Sequence, residues 1–164
     1  MTISIIVAAG KNNEIGKGNR LLWRLPEDMK RFRNLTTGHV VVMGRKTFES
    51  LPKGALPNRT NVVITRDRGL QLDNCVVLHS LDEAFVRFNG EEEIFIIGGA
   101  SIYEQVLPVA DKIFLTRVQS SFPEADTFFP EMNPEEWQVI NREVFQTDEK
   151  NPFSCFFYEY KRKI

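Results

Sequence analysis

The stretch Trp23 to Phe32, WRLPEDMKRF, carries one carboxylate whose position asks for a partner. Pro26 suits the first position of a helix, where its missing N–H costs nothing. Leu25, Asp28, Met29, Phe32 and Leu35 then recur at helical spacing, which puts Asp28 on the apolar stripe. A charge aimed at a core is expensive unless something pairs with it. Two readings therefore stand side by side: a first-turn acid that serves the helix dipole, or an acid kept for a ligand. Glu27 already offers the dipole interaction from a less apolar position, which weakens the first reading.

Three further segments have the chemistry of anion sites. VVVMGRKTFES is a strand, a glycine turn and a helix start, and it places Gly44, Arg45, Lys46 and Thr47 where backbone N–H groups and basic side chains could meet a phosphate. It is not a P-loop, because the nearest upstream glycine, Gly38, is at the wrong distance and Arg45 stands where that motif has lysine. An ordinary turn with a solvated basic rim is the competing reading. IFIIGGASIYEQVL repeats the arrangement, with Gly98 and Gly99 allowing close approach of a ligand to the backbone and a helix opening near Ser101. VVITRDRG sets Thr65 and Arg66 at a third strand end, and an arginine there is one way to accept a ribose 2′-phosphate. Each signal is weak by itself. Together, at strand ends of one small domain, they read as a phosphorylated dinucleotide lying across the carboxyl ends of an open sheet.

The elements that must hold these groups alternate. Val/Ile/Leu/Phe-rich runs at Ile3 to Ala9, Val40 to Met43, Asn61 to Thr65, Cys75 to Leu78, Ile94 to Ile97 and Lys112 to Val118 predict buried strands. Helical stretches at Pro26 to Thr36, Lys46 to Leu51, Leu81 to Phe88 and Ser101 to Leu107 lie between most of them, so an α/β domain with a largely parallel sheet is expected. Trp137 to Val144 and Ser154 to Arg162 break the alternation and predict an antiparallel hairpin at the sheet edge. Gly10 to Leu22 and Ser120 to Glu136 are the longest irregular regions, and the first is a candidate lid.

A chain of 164 residues fits a single domain, 1–164, with a self-sufficient core. Its formal net charge of -1 provides no electrostatic footprint for nucleic acid or an anionic membrane. The apolar run at the N-terminus is too short to span a bilayer and has no basic flank, so a cytoplasmic protein is expected. Cys75 and Cys155 are far apart, and His39 and His79 are isolated, so no metal site is expected.

Eight collinear segments carry a family resemblance: IIVAAG, IGKGNRLLW, LPEDMKRF, VVMGRKTFES, LPNRTNVVITR, IIGGASIYEQ, IFLTRV and EADTFFP. In this order the sequence resembles dihydrofolate reductase of the bacterial, chromosomal type. The resemblance implies a mixed, mostly parallel eight-stranded central sheet flanked by four helices, with an antiparallel C-terminal strand and an adenosine-binding subdomain at about 40–91. It implies NADPH as cofactor, dihydrofolate as substrate, diaminopyrimidine or methotrexate-like antifolates as inhibitors, and a monomer.

Residue by residue, the resemblance sets Asp28, Leu21, Trp23 and Thr116 at the catalytic centre, with the Thr116 hydroxyl supporting the Asp28 carboxylate. Val7, Ala8, Leu25, Phe32, Leu56, Arg59 and Ile97 join Asp28 and Thr116 around the substrate, Arg59 gripping the α-carboxylate of its glutamate tail. Ala8 and Ile15 fall near the carboxamide of the nicotinamide, and Gly16, Asn19, Arg20 and Tyr103 are further cofactor-binding positions. Gly44, Arg45, Lys46, Thr47, Thr65 and Arg66 fall near the adenosine phosphates. Gly98, Gly99, Ala100, Ser101 and Ile102 fall near the pyrophosphate, with a cis bond expected between Gly98 and Gly99. Asp28 is expected to be partly buried with a raised pKa. Leu22 and Arg24 flank Trp23 where many relatives have proline before the tryptophan, which bears on lid geometry, while Asp126 matches a residue that braces the lid. Two other functions compete: a same-fold reductase of another heterocycle, such as the pyrimidine reductase of riboflavin synthesis, and a folate or NADPH binding module without turnover. Arg59 and Phe32 suit a benzoylglutamate tail better than a ribityl phosphate, and Asp28 with Thr116 argues against mere binding.

Overall fold

The computed structural model describes residues 1–18 and 22–163. Along the chain the elements are β1 (Thr2–Ala9), β2 (Glu14–Gly16), α1 (Pro26–Thr36), β3 (Val40–Gly44), α2 (Arg45–Glu49), β4 (Thr60–Ile64) and β5 (Cys75–Leu78). They continue with α3 (Leu81–Arg87), β6 (Glu93–Gly98), α4 (Ala100–Val106), β7 (Lys112–Val118), β8 (Thr127–Phe128), β9 (Trp137–Phe145) and β10 (Cys155–Arg162). Eight strands form one sheet in the order β5-β4-β3-β6-β1-β7-β10-β9. Every pair from β5 to β7 is parallel, and β10 is antiparallel to both β7 and β9. The mixed sheet, its four helices and its antiparallel C-terminal end match the architecture expected from sequence.

The central strands are apolar on both sides because both faces of the sheet are covered. Val40, Val41, Val42 and Met43 of β3 are all buried, and alternate residues join different cores. Val40 and Val42 pack with Ile5, Ile96, Leu81, Ile102 and Val106, which places α3 and α4 on one face. Val41 and Met43 pack with Phe95, Phe114, Leu35 and Phe48, which places α1 and α2 on the other.

The structure departs from the sequence reading in three places. The two long irregular regions are not wholly irregular, since β2 and β8 pair antiparallel within them and form a separate two-stranded sheet. Such short strands joined across more than a hundred residues leave no periodic signal in either segment. Met29 is 54% exposed and off the stripe to which its spacing assigned it. Thr36 is the buried residue of α1, while Asp28 and Phe32 are only half-buried, because the inner face of this helix borders a crevice and not a closed core. Helix α2 starts at Arg45 and ends at Glu49, shorter than the run expected to reach Leu51.

The N-terminus of α1 is held from far away. Leu25, at the N-cap, makes no side-chain cap, and Pro26 has no N–H to satisfy. The Glu27 N–H instead donates to Asn151 Oδ1 at 3.0 Å, from the turn between β9 and β10. Asn151 is 4% exposed and is itself fixed by Asp148 Oδ1, which accepts from its backbone N–H at 2.8 Å and its side-chain amide at 2.9 Å. The C-terminal hairpin thereby sets the start of the helix that carries Asp28. Asn151→Ala removes this cap and is expected to lower stability by about 1–2 kcal/mol, read as a lower urea midpoint with an unchanged slope.

Candidate active site

The sheet opens where its parallel pairing stops. β1 and β6 are in register from Thr2↔Glu93 to Ile5↔Ile96, and no further, whereas β1 and β7 stay paired to Ala9↔Arg117. The carboxyl ends of β1 and β6 therefore part and leave a crevice between Ile6 to Ala8 on one side and Ile97 to Gly99 on the other. Such a position, beyond the carboxyl ends of strands in an open α/β sheet, is where ligands gather. Tyr103 bridges the base of the gap, its hydroxyl donating to Ile6 O at 2.8 Å.

On the face covered by α1, Asp28 points at Thr116 of β7. The Thr116 hydroxyl donates to Asp28 Oδ1 at 2.6 Å, and Thr116 is only 3% exposed. Thr116 lies opposite Ala8 in the β1–β7 ladder, so the pair sits at the crevice mouth. Burial pushes the Asp28 carboxyl above the ordinary aspartate range, against the opposing pull of the Thr116 hydroxyl and the Arg31 guanidinium. The result is a carboxyl with one oxygen fixed by the protein and its neutral form favoured relative to an exposed aspartate.

Apolar groups surround it. Leu25 and Trp23 are buried with Phe122 and Val118, and the half-buried Ala8 packs on the same cluster. Ile97 and Leu56 are half-buried beside Phe95 and Phe114. Val7 is 7% exposed and turns into the core with Ile102 and Tyr103, away from α1, so toward the crevice it offers backbone only. Ile6, one residue earlier, has the opposite phase and packs on the α1 face. Sequence reading passed over Ile6 because a strand buried on both faces has no polar alternation to tell which side chains look into the crevice.

Arg59 stands at the outer end of α1. Its Nη1 donates to Thr36 Oγ1 at 3.1 Å, its Nε donates to Pro57 O at 2.9 Å, and the guanidinium lies 5.9 Å from the centre of the Phe32 ring. Asn61, 2% exposed, holds the preceding loop by accepting from the Leu56 N–H at 2.9 Å and donating to Leu56 O at 2.8 Å. The guanidinium is thus set in plane and position for a bidentate anion contact.

The three phosphate-ready turns lie side by side, since β4, β3 and β6 are neighbours with Gly44 opposite Ile64 and Met43 opposite Gly98. The peptide bond between Gly98 and Gly99 is cis. A Cβ added at Gly98 would lie 3.3 Å from the Tyr103 hydroxyl, and one added at Gly99 would lie 3.2 Å from Thr47 Oγ1. This close approach of the turns is why glycines stand there. Arg45, Lys46, Arg66 and Ser101 are exposed beside these turns, Arg45 lying 3.5 Å from Glu49. Thr65 is fixed by its N–H donating to Leu78 O at 2.9 Å, and its carbonyl is 2.8 Å from His79 Nδ1. Ala100 opens α4, Ile102 is 7% exposed, and Tyr103 is 5% exposed with its hydroxyl engaged at Ile6.

Ile15 and the buried Gly16 belong to β2, which pairs antiparallel with β8. Gly16 O accepts from the Asp126 N–H at 3.1 Å, and Asp126 Oδ2 accepts from the Gly18 N–H at 3.0 Å. Asn19, Arg20 and Leu21 lie outside the described residues. Missing from the sequence reading are Glu14, Arg117 and Phe122, which tie β2 to the neighbouring loop. Nothing in local pattern marks a loop acid as buried.

Comparison with known proteins agrees with this geometry. A family model described as dihydrofolate reductase matches residues 2–162. Dihydrofolate reductase of Haemophilus influenzae is 43% identical over 163 residues, covering 99% of this chain and 100% of that protein. That of Bacillus subtilis is 41% identical over 161 residues, covering 98% and 95%, and that of Staphylococcus haemolyticus is 40% identical over 162 residues, covering 99% and 96%. Among solved structures, dihydrofolate reductase from Enterococcus faecalis, complexed with NADP(H) and RAB-propyl, superposes with a TM-score of 0.93 at 32% identity, covering 99% of this chain and 97% of that one. With its crevice, acid and glycine turns arranged on this sheet, the chain belongs to the dihydrofolate reductase family.

Proposed function

We propose that this protein reduces 7,8-dihydrofolate to 5,6,7,8-tetrahydrofolate with NADPH, by hydride transfer from nicotinamide C4 to pterin C6 and protonation of N5. The observation that carries this reading is the Asp28 carboxyl, held by Thr116 at the mouth of an apolar crevice. The second carboxyl oxygen suits an N–H and amino pair on a pterin, which would pair the charge that the helix itself leaves facing the crevice. The same geometry suits a diaminopyrimidine inhibitor.

The residues present fit the cofactor. The turns at Gly44 to Thr47, Thr65 to Arg66 and Gly98 to Tyr103 adjoin in space, with exposed Arg45, Lys46 and Arg66 as counter-charges for phosphates within the adenosine-binding segment 40–91. Ala8, Ile15 and Gly16 then border the nicotinamide end. Bound there, NADPH supplies the hydride. The chain's own part is to orient and to exclude water. Trp23, Leu25, Phe32, Leu56 and Ile97 wall the pterin with apolar surface, Phe32 packs on its rings, and the Ala8 backbone bounds the slot from β1. Arg59, held by Thr36, takes the glutamate tail's carboxylate. Asp28 holds the pterin and, as the ionisable group of the slot with its pKa raised by burial, supports protonation of N5. The electron count closes, since one hydride and one proton enter dihydrofolate and NADP⁺ leaves.

The first test is the loss of reduced-nicotinamide absorbance with NADPH and dihydrofolate, beside NADH. Rapid oxidation that prefers NADPH is expected, and binding of both ligands without oxidation would overturn the reading. Asp28→Asn is expected to slow hydride transfer about 10²-fold at neutral pH, with partial recovery in acid where substrate is already protonated. Unchanged transfer across the pH range would remove Asp28 from the mechanism. Arg59→Ala is expected to raise KM for dihydrofolate about 10- to 100-fold while leaving KM unchanged for a pterin that lacks the glutamate tail.

The raised pKa of Asp28 also has a stability consequence in the ligand-free protein. The native state binds the Asp28 proton more tightly than the unfolded chain does, so stability falls as pH rises from the ordinary aspartate range through the raised value. Asp28→Asn should therefore raise the thermal midpoint at about pH 7.5 and make little difference at about pH 3. A calorimetric pH series on both proteins checks the sign.

A further inference from the structure

Glu14 is a charged side chain that the proposed reaction does not use, and it is 2% exposed. Its two carboxyl oxygens serve different parts of the chain. Oε1 accepts from the Asn12 N–H at 2.6 Å, and Oε2 accepts from the Phe122 N–H at 2.5 Å. The turn around it is tight: the Gly10 N–H donates to Glu14 O at 2.9 Å, and the Asn13 N–H donates to Gly10 O at 3.1 Å. Arg117 Nη1 donates to both Gly10 O and Asn13 Oδ1 at 2.7 Å. Even a methyl group at Gly10 would lie 2.7 Å from Glu14 Oε1 and 2.8 Å from the Phe122 ring, so the residue at 10 must be glycine for the carboxylate to seat.

Two structures meet at this carboxylate. On one side it is followed directly by Ile15 and Gly16, which border the nicotinamide end of the crevice in the reading above. On the other, Phe122 stacks against Trp23 with ring centroids 5.0 Å apart and against Phe153 at 5.5 Å. A buried carboxylate is costly unless donors surround it, and here burial is outweighed by the N–H groups of Phe122, Glu14 and Asn12 and by the Arg117 charge, so the carboxyl lies below the ordinary glutamate range. An apolar side chain could fill the same space but could not bond both N–H groups.

We propose that Glu14 is a positioning residue for the nicotinamide end of the site, its carboxylate clamping the turn that precedes Ile15 and Gly16 onto the segment whose Phe122 ring backs Trp23. The proposal rests on the NADPH reading of that end of the crevice. It predicts an unequal effect, because Ile15 and Gly16 follow Glu14 directly in the chain, whereas the dihydrofolate side feels the clamp only through Phe122 and Trp23 and is otherwise held by Thr116, Asn61 and the Asn151 cap of α1.

The test uses Glu14→Val, which removes both acceptors, and Glu14→Gln, which keeps the shape and one acceptor while turning an amide N–H₂ toward a backbone donor. NADPH binding is titrated directly by quenching of protein fluorescence, dihydrofolate binding is titrated separately, and hydride transfer is followed in a single turnover. The Kd for NADPH is expected to rise about tenfold or more in Glu14→Val, as for loss of a charge-assisted hydrogen bond, and less in Glu14→Gln. Hydride transfer should slow, while the Kd for dihydrofolate rises by a clearly smaller factor than the Kd for NADPH. A lower thermal midpoint with NADPH binding unchanged, or equal losses for both ligands, would reduce Glu14 to a structural residue and overturn the proposal. If Glu14→Val does not fold, Glu14→Gln and protection of the Phe122 amide against hydrogen exchange carry the test, with protection expected to increase on NADPH addition and a constant value counting against it. The parent protein keeps the two readings apart: NADPH binding without dihydrofolate reduction would overturn the proposed function, while the variant comparison still decides the role of Glu14.

Discussion

Parallel pairing between β1 and β6 ends at Ile5 and Ile96, and the rest of the site follows from that parting. While two strands share hydrogen bonds, nothing can enter between their backbones. Once they separate, the carboxyl end of β6 presents its glycine turn to the crevice, and the carboxyl end of β1 presents Ile6 and Ala8. The opening exposes polar backbone at the edge of a sheet whose body is buried on both faces. Tyr103 satisfies one of these groups by donating to Ile6 O, and no buried side-chain N or O atom among the described residues lacks a partner.

Around it, ligand-facing groups are held by parts of the chain far away in sequence. Asp28 depends on Thr116, 88 residues later, and the helix beneath it on Asn151, 124 residues after Glu27. Arg59 is oriented by Thr36, and its loop by Asn61. Each support is a short polar contact on a buried or half-buried residue, where competition from water is reduced and the bond keeps its direction. A half-buried acid surrounded by such contacts remains titratable without being free to swing away.

The β2 and β8 pairing gives the segment around Ile15 and Gly16 a different construction. There the framework is two short strands and a buried carboxylate. Glu14, Arg117 and the Asp126 contacts to Gly16 and Gly18 supply order where a helix or long strand would otherwise do so. Polar clamps of this kind hold geometry while remaining breakable in a few hydrogen bonds, a property suited to a segment beside a site that ligands must enter and leave.

Much of this protein is legible from residue pattern alone. Apolar runs bounded by turn residues define the parallel strands, Gly44 and the Gly98-Gly99 pair mark the phosphate-ready turns, and Asp28 betrays itself as a charge on an apolar stripe, because burial, glycine geometry and charge placement are local properties written at single positions. Tertiary structure alone decided the partners. That Glu14 is buried, that Ile6 and not Val7 turns its side chain to the α1 face, that Met29 looks outward and that Asn151 caps α1 all depend on which distant segments meet. A hydrogen bond or a packed face between residues a hundred positions apart leaves no period in the sequence, since chain entropy makes every such encounter equally silent until the whole sheet has closed around it.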